Sequence, residues 1–140
     1  MEKTDRRIVE LLRADGRMSY TDLGKELGLS TSAVHQRVRR LEERGVITGY
    51  AAKVDHSSVG NPLTAFISIT PLDPSAPDDV PDRLRGIKEI EECHSVAGDM
   101  SYVLKVRVAA PVGLEELIAK VRGAANVSTR TTVVLSTPWE

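Results

Sequence analysis

Between Ser30 and Arg40 the sequence STSAVHQRVRR brings hydroxyl, imidazole, carboxamide and guanidinium groups together at helical spacing, a set suited to nucleic acid. Arginine can pair with guanine and glutamine with adenine, because each matches the donors and acceptors of a base edge in the major groove. At about 100° per residue, with Val34 as origin, Val34, Val38 and Leu41 form an apolar stripe. Ser32, Gln36, Arg39 and Arg40 fall on the far side and His35 on a flank. Base contact is expected from Ser32, His35, Gln36 and Arg39, in the N-terminal part that such helices insert. Arg37 and Arg40 suit phosphates, with Thr31 and the helix N-terminus as neutral donors. A solvated helix face with ordinary pairs such as Arg39 with Glu43 would have the same composition, so the neighbouring elements must decide.

A second stretch, VAGDMSY, places Gly98 and Asp99 at a bend between two strands, where turn chemistry is a sufficient explanation: glycine for positive φ, aspartate for local hydrogen bonds. Cys93 and His94 just before it read as partly buried strand residues. One cysteine excludes an internal disulfide, three scattered histidines give no zinc spacing, and no catalytic triad is near, so neither enzyme chemistry nor a metal or cofactor is expected.

Several elements must position these groups. RRIVELLRADG repeats Ile8, Leu11 and Leu12 at helical spacing between Asp5, read as the cap, and Gly16, which predicts a helix over about 5–14. A short second helix follows in SYTDLGKELG, capped by Ser19 or Thr21 and closed by Gly28. The third begins at Ser30 or Thr31 and ends at Gly45. Helix, short helix, tight turn and longer helix is the helix-turn-helix order, which favours the recognition reading of the third. VITGYAAKVD is rich in strand formers and reads as a small wing or a connecting strand.

After the loop DHSSVGNP, the pattern is strand (LTAFISIT), proline-rich loop (Pro71 to Pro81), short helix (DRLRGI), strand (EECHSVAG), strand (SYVLKVRVA), helix (PVGLEELIAKVRGA) and strand (STRTTVVLST). The order βαββαβ predicts a ferredoxin-like antiparallel sheet with helices on one face. A second copy is the simplest cover for the other face, which predicts a homodimer. Trp139 is expected to pack the C-terminus against the sheet or a partner. The whole is thus an α+β chain: a winged-type helix-turn-helix domain over 1–50, a linker strand and hinge over 51–62, and a ferredoxin-like oligomerisation domain over 63–140.

A length of 140 residues with 41% hydrophobic content allows one ordinary domain or two small ones, and the net charge of -1 excludes a globally basic nucleic-acid binder. Any nucleic-acid contact is therefore local, and the dense basic run Arg37, Arg39, Arg40 is where it must be. Charges begin at Glu2 and no apolar run approaches the ~20 residues of a membrane span, so neither signal peptide nor anchor is expected and a cytoplasmic setting is.

TDRRIVELLRADGRMSYTDLGKELGLSTSAVHQRVRRLEERGVITGY, with its RVRRLE and GVITGY blocks, and ECHSVAGDMSYVLKVRV with TRTTVVL together resemble the Lrp/AsnC, or feast/famine, transcriptional regulators over nearly the whole chain. The resemblance implies an ACT-like second domain whose loop around Gly98, Asp99 and Met100 helps form a small-molecule site between subunits, usually for an amino acid. It also implies Ser128, Thr129 and Thr131 of the last strand as further effector residues. Double-stranded DNA as partner, and assemblies above the dimer such as an octamer, follow in the same way. Ser101 stands where many members carry a second acidic residue.

Two other readings compete. Some proteins of this architecture are haem-pathway decarboxylases, for which His94 and Arg107 would be the candidates, but five aromatics give a tetrapyrrole little lining and the basic third helix argues for DNA. A ligand-binding or oligomerisation module without DNA affinity is the other.

Overall fold

The computed structural model describes residues 1–140, which divide into two compact units, Met1–Lys53 and Val54–Glu140. The first holds three helices, α1 (Lys3–Ala14), α2 (Tyr20–Leu27) and α3 (Thr31–Glu43). Their stripes meet in a core of Ile8, Leu12, Leu23, Val34, Val38 and Leu41, as the periodicity requires. Ser19 caps α2, its Oγ accepting from the Asp22 N–H at 3.0 Å, and Ser30 caps α3, accepting from the Ala33 N–H at 3.2 Å.

Two expectations for this unit are corrected. Asp5 is not a cap: α1 starts at Lys3 after Glu2, and Asp5 sits inside the first turn, 7% exposed. It belongs there because the dipole favours an acid in the first turn and because an arginine reaches it, as described below. Nor does VITGYAAKVD form a strand or a wing; the next strand after α3 begins at Leu63. The Val46 and Ile47 N–H groups both donate to the Leu41 carbonyl, closing α3, and no backbone hydrogen bond is made over 48–54. Strand-forming residues need a neighbouring edge to pair with, and the chain places none beside them.

The second unit runs β1 (Leu63–Pro71), α4 (Val80–Leu84), β2 (Ile90–Ser95), β3 (Tyr102–Val108), α5 (Pro111–Ala125) and β4 (Val127–Val133). The strands form one antiparallel sheet in the order β2-β3-β1-β4, the ferredoxin-like arrangement expected from βαββαβ. Alternation divides β1 cleanly: Ala65, Ile67 and Ile69 are buried beneath the helices, with Leu104, Val106, Leu117 and Val121. Thr64, Phe66 and Ser68 face the other way, opposite Arg107, Lys105 and Val103, and Phe66 is 37% exposed there.

Smaller differences have physical causes. α4 starts at Val80, two residues before the expected DRLRGI, because Val80 is buried and proline suits the first turn that Pro81 occupies. β2 is an edge strand with an irregularity between Ile90 and Glu92, so Cys93 and His94 are exposed rather than partly buried. β4 ends at Val133, short of the expected strand, after which the Val134 N–H still donates to the Thr64 carbonyl. Trp139, 85% exposed, does not pack against the sheet.

Candidate nucleic-acid interface and effector site

α3 is presented by the turn before it. Gly28 closes α2 in the left-handed region (φ 67°), the Leu29 N–H donates to the Gly24 carbonyl at 2.9 Å, and Ser30 opens the next helix. Gly24 is forced: a Cβ there would lie 2.4 Å from the Leu29 carbonyl oxygen. The two helices are thus joined through three residues with their backbones in near contact, and the direction of α3 is set by covalent geometry as well as by the core.

Thr31, Ser32, His35, Gln36, Arg39 and Arg40 are all exposed on α3; Ser32, Gln36, Arg39 and Arg40 lie away from Val34, Val38 and Leu41, His35 on a flank, and Thr31 at the helix's first position. The His35 ring meets the edge of Tyr20 at 5.5 Å between centroids, which anchors its orientation. The Thr31 hydroxyl lies 3.5 Å from that of Thr21, and the Ser30 and Ser32 hydroxyls are 3.2 Å apart, gathering neutral donors at the N-terminus of α3. Arg39 Nε bonds Glu43 at 2.9 Å between two well-exposed side chains, a pair cheap to open.

Arg37, expected at phosphates, is held by carboxylates of the N-terminal segment. Its Nη1 donates to Glu2 Oε2 and to Asp5 Oδ1, both at 2.9 Å, and its side chain is only 23% exposed. The hydrogen bonds to Glu2 and then Asp5 hold its pKa above the ordinary guanidinium value. The reason is angular: Arg37 lies about 60° from Val34 on the helix wheel, beside the buried stripe rather than opposite it.

In the second unit, the loop between β2 and β3 carries Gly98 at φ 149°, as turn chemistry requires. Asp99 is exposed beside it, and Met100 Sδ accepts from Thr70 Oγ1 at 3.3 Å. This loop and the proline-rich loop after β1 enclose a groove of about 490 Å³ lined by Thr70, Asp73, Asp78, Gly98, Met100 and Tyr102. The Tyr102 hydroxyl donates to Asp78, tying the proline-rich loop down, and its pKa is pushed up to about 12, chiefly by that bond. Ser75 hydrogen bonds hold the Asp73 carboxyl below the usual range.

Within one chain the expected effector residues do not form one cluster. Ser128 Oγ donates to the Thr70 carbonyl at 3.4 Å, on the open side of the sheet. Thr129 and Thr131 point to the helix side, where Thr129 Oγ1 accepts from Arg122 Nε at 2.9 Å. Consecutive strand residues point to opposite faces, so Ser128 and Thr129 cannot share a site within the chain. Thr70, Asp78 and Tyr102 were not anticipated; the proline-rich composition marked the loop but nothing in it signalled the Tyr102–Asp78 tie.

The residues considered for decarboxylation are engaged with neighbours. His94 Nε2 lies 2.9 Å from Glu92, while Arg107 donates to Glu91 at 2.7 Å and to Thr64 at 2.6 Å. Although Cys93 is exposed overall, partial desolvation of its thiol pushes the pKa up, away from nucleophile chemistry.

Comparison with known proteins gives matches along the chain. A winged helix-turn-helix DNA-binding model matches residues 1–48, and the Lrp/AsnC ligand binding domain model matches residues 64–140. The HTH-type transcriptional regulator LrpA of Mycobacterium tuberculosis is 53% identical over 137 residues, covering 98% of this chain and 91% of the relative. The leucine-responsive regulatory protein of Escherichia coli (strain K12) is 37% identical over 140 residues, covering 96% and 85%. A feast or famine regulatory protein from M. tuberculosis complexed with L-methionine superposes with a TM-score of 0.97 at 52% identity, covering 99% and 95%. E. coli AsnC superposes with a TM-score of 0.83 at 29% identity, covering 100% and 95%.

Proposed function

Because the chain belongs to the Lrp/AsnC family of DNA-binding transcriptional regulators, we propose that α3 enters the major groove, with Ser32, His35, Gln36 and Arg39 toward base edges and Arg40 and Thr31 toward phosphates. The observation that carries this is the polar, exposed face of α3 directed by the Gly24–Leu29 turn. Arg39 exchanges Glu43 for DNA at little cost, since exposed pairs are worth ~1 kcal/mol or less.

The effector is an amino acid, in line with the methionine complex of the M. tuberculosis relative. The Gly98, Asp99 and Met100 loop contributes to its site, together with the groove toward Asp73 and Asp78, where carboxylates can receive an ammonium group. Ser128 adjoins the groove through Thr70, whereas Thr129 and Thr131 join only if a partner subunit supplies them. A homodimer covering the open sheet face around Phe66, and a higher assembly such as an octamer, complete the proposal, with residues 51–62 as the hinge. Effector binding alters operator affinity to the extent that it prefers one assembly state. No helix is long and apolar enough to cross a membrane, and the cytoplasm, where DNA is available, is the proposed setting.

The test is binding of the full chain to its own upstream DNA and to a scrambled fragment, across a salt series, with and without L-methionine, L-leucine and the other common amino acids. Sequence-preferring, salt-sensitive binding shifted by one or a few of them supports the proposal. Equal affinity for both fragments throughout overturns it.

A further inference from the structure

We propose that Arg37 is a positioning residue: clasped by Glu2 and Asp5 of the N-terminal segment, it fixes how α3 is presented to DNA and neutralises no phosphate. The inference rests on the DNA-binding reading above.

Burial of Ile8, Leu12, Val34 and Val38 in one core is non-directional, so apolar contact and the turn before α3 leave the helix some freedom of rotation about its own axis. A guanidinium accepted by two carboxylates is directional, and it removes that freedom. The clasp occupies a telling place. Asp5 lies one turn before Ile8, at the N-terminal end of the α1 stripe, while Arg37 is next to Gln36, between the buried Val34 and Val38. Rotation of α3 about its axis breaks both 2.9 Å bonds at once and swings Gln36 and Arg40 with it.

Charge leads to the same conclusion. One guanidinium faces two carboxylates, so the cluster is not positive and offers phosphates no attraction. Asp5, 7% exposed, would be left buried and unpaired if Arg37 turned to DNA, and that penalty keeps the clasp closed.

The two roles predict different results for the full chain on operator DNA, using Asp5→Asn, Arg37→Gln, the double variant and Arg40→Gln. For a positioning residue, Arg37→Gln lowers affinity about tenfold while the slope of log K against log salt stays at the wild-type value. Asp5→Asn removes a negative charge yet also lowers affinity, and the double variant is no worse than the weaker single. Arg40→Gln provides the contrast, reducing the slope by about 0.9. The inference is overturned if Arg37→Gln reduces the slope as Arg40→Gln does, or if Asp5→Asn leaves affinity unchanged or raises it. Urea unfolding of each variant guards against collapse: where a single variant is unfolded, the double variant, with an amide pair in place of the charges, is compared with wild type by the same slope. A wild-type chain without sequence preference would instead remove the DNA-binding reading, and this inference with it.

Discussion

The α-carbon of Gly24 faces the carbonyl oxygen of Leu29 so closely that a Cβ would stand 2.4 Å from it. Gly24→Ala would ordinarily gain up to about 1 kcal/mol of helix propensity. Here the obstacle is backbone, which no rotamer change relieves, so crowding wins and stability falls by ~1–3 kcal/mol. Urea unfolding of the first unit is expected at a lower midpoint, with weakened DNA binding; an unchanged midpoint would mean that the turn yields.

Ser30→Ala removes the cap of α3 and costs about 1 kcal/mol. Ser30→Asp keeps an acceptor for the Ala33 N–H, so the melting temperature holds, yet it brings a negative charge to the end proposed to approach phosphates. Stability and DNA affinity are therefore expected to separate in this variant. If the Asp variant bound operator as wild type does, the N-terminus of α3 would lie away from the backbone.

Gln36→Ala and Arg40→Ala are expected to fail differently. Loss of a base contact costs ~1–3 kcal/mol on the preferred operator and narrows the gap to scrambled DNA. Loss of a phosphate contact weakens both fragments alike and reduces the salt slope by about 0.9. Competition binding on both fragments at three salt concentrations distinguishes these patterns, and a reversed pattern would exchange the two roles.

Gly98 has φ 149°, which an alanine adopts only with strain. Gly98→Ala is expected to reshape the loop that lines the groove with Met100 and Thr70, lowering affinity for an amino-acid effector while leaving effector-free DNA binding intact. Calorimetric titration with L-methionine before and after the substitution measures this. Undiminished heat and affinity would place the effector elsewhere.

Tyr102 donates to Asp78, and this bond, followed by burial, pushes its phenol up to about 12 against an ordinary value of ~10. The folded state thus prefers the neutral phenol. Its contribution is complete below pH ~10 and disappears as pH rises toward the folded value. Burial and Glu42 also hold Tyr50 above the ordinary value, so phenolate absorbance is expected to lose its latest-titrating component in Tyr102→Phe, and the stability advantage of wild type over this variant should shrink above pH ~10.

Helical and strand periodicity carried the architecture: the Ile8, Leu23 and Val34 stripes and the alternation of Val103 to Val108 are local patterns that burial converts directly into elements. The turn Gly28 is equally plain, and the caps are legible as pairs of candidates, Ser19 or Thr21 and Ser30 or Thr31, of which the structure uses the serines, because each satisfies a requirement within a few residues. What the sequence concealed depends on distant partners. Asp5 resembles a cap until Arg37, 32 positions later, is seen to reach it. The signal was present in outline, an acid on the apolar stripe of α1 and an arginine beside that of α3. Tyr102 and Asp78 meet only because the sheet places β3 beside the end of β1, which no local pattern encodes. The strand-forming residues 46–54 found no edge, and pairing is a property of two segments.

Among the arginines of α3, Arg40 alone has no carboxylate partner, since Arg37 is clasped and Arg39 is shared with Glu43. With Arg40 free and Arg39 available once it leaves Glu43, α3 in the proposed docking would displace few counterions, so one unit acting singly would hold DNA weakly. On the proposed assembly, useful occupancy would come from avidity, with several units on one stretch of DNA, each raising the effective concentration of the next. Occupancy would then climb steeply with the number of chains in the cell, and protein abundance itself would become an input, read by the proposed operator alongside the effector.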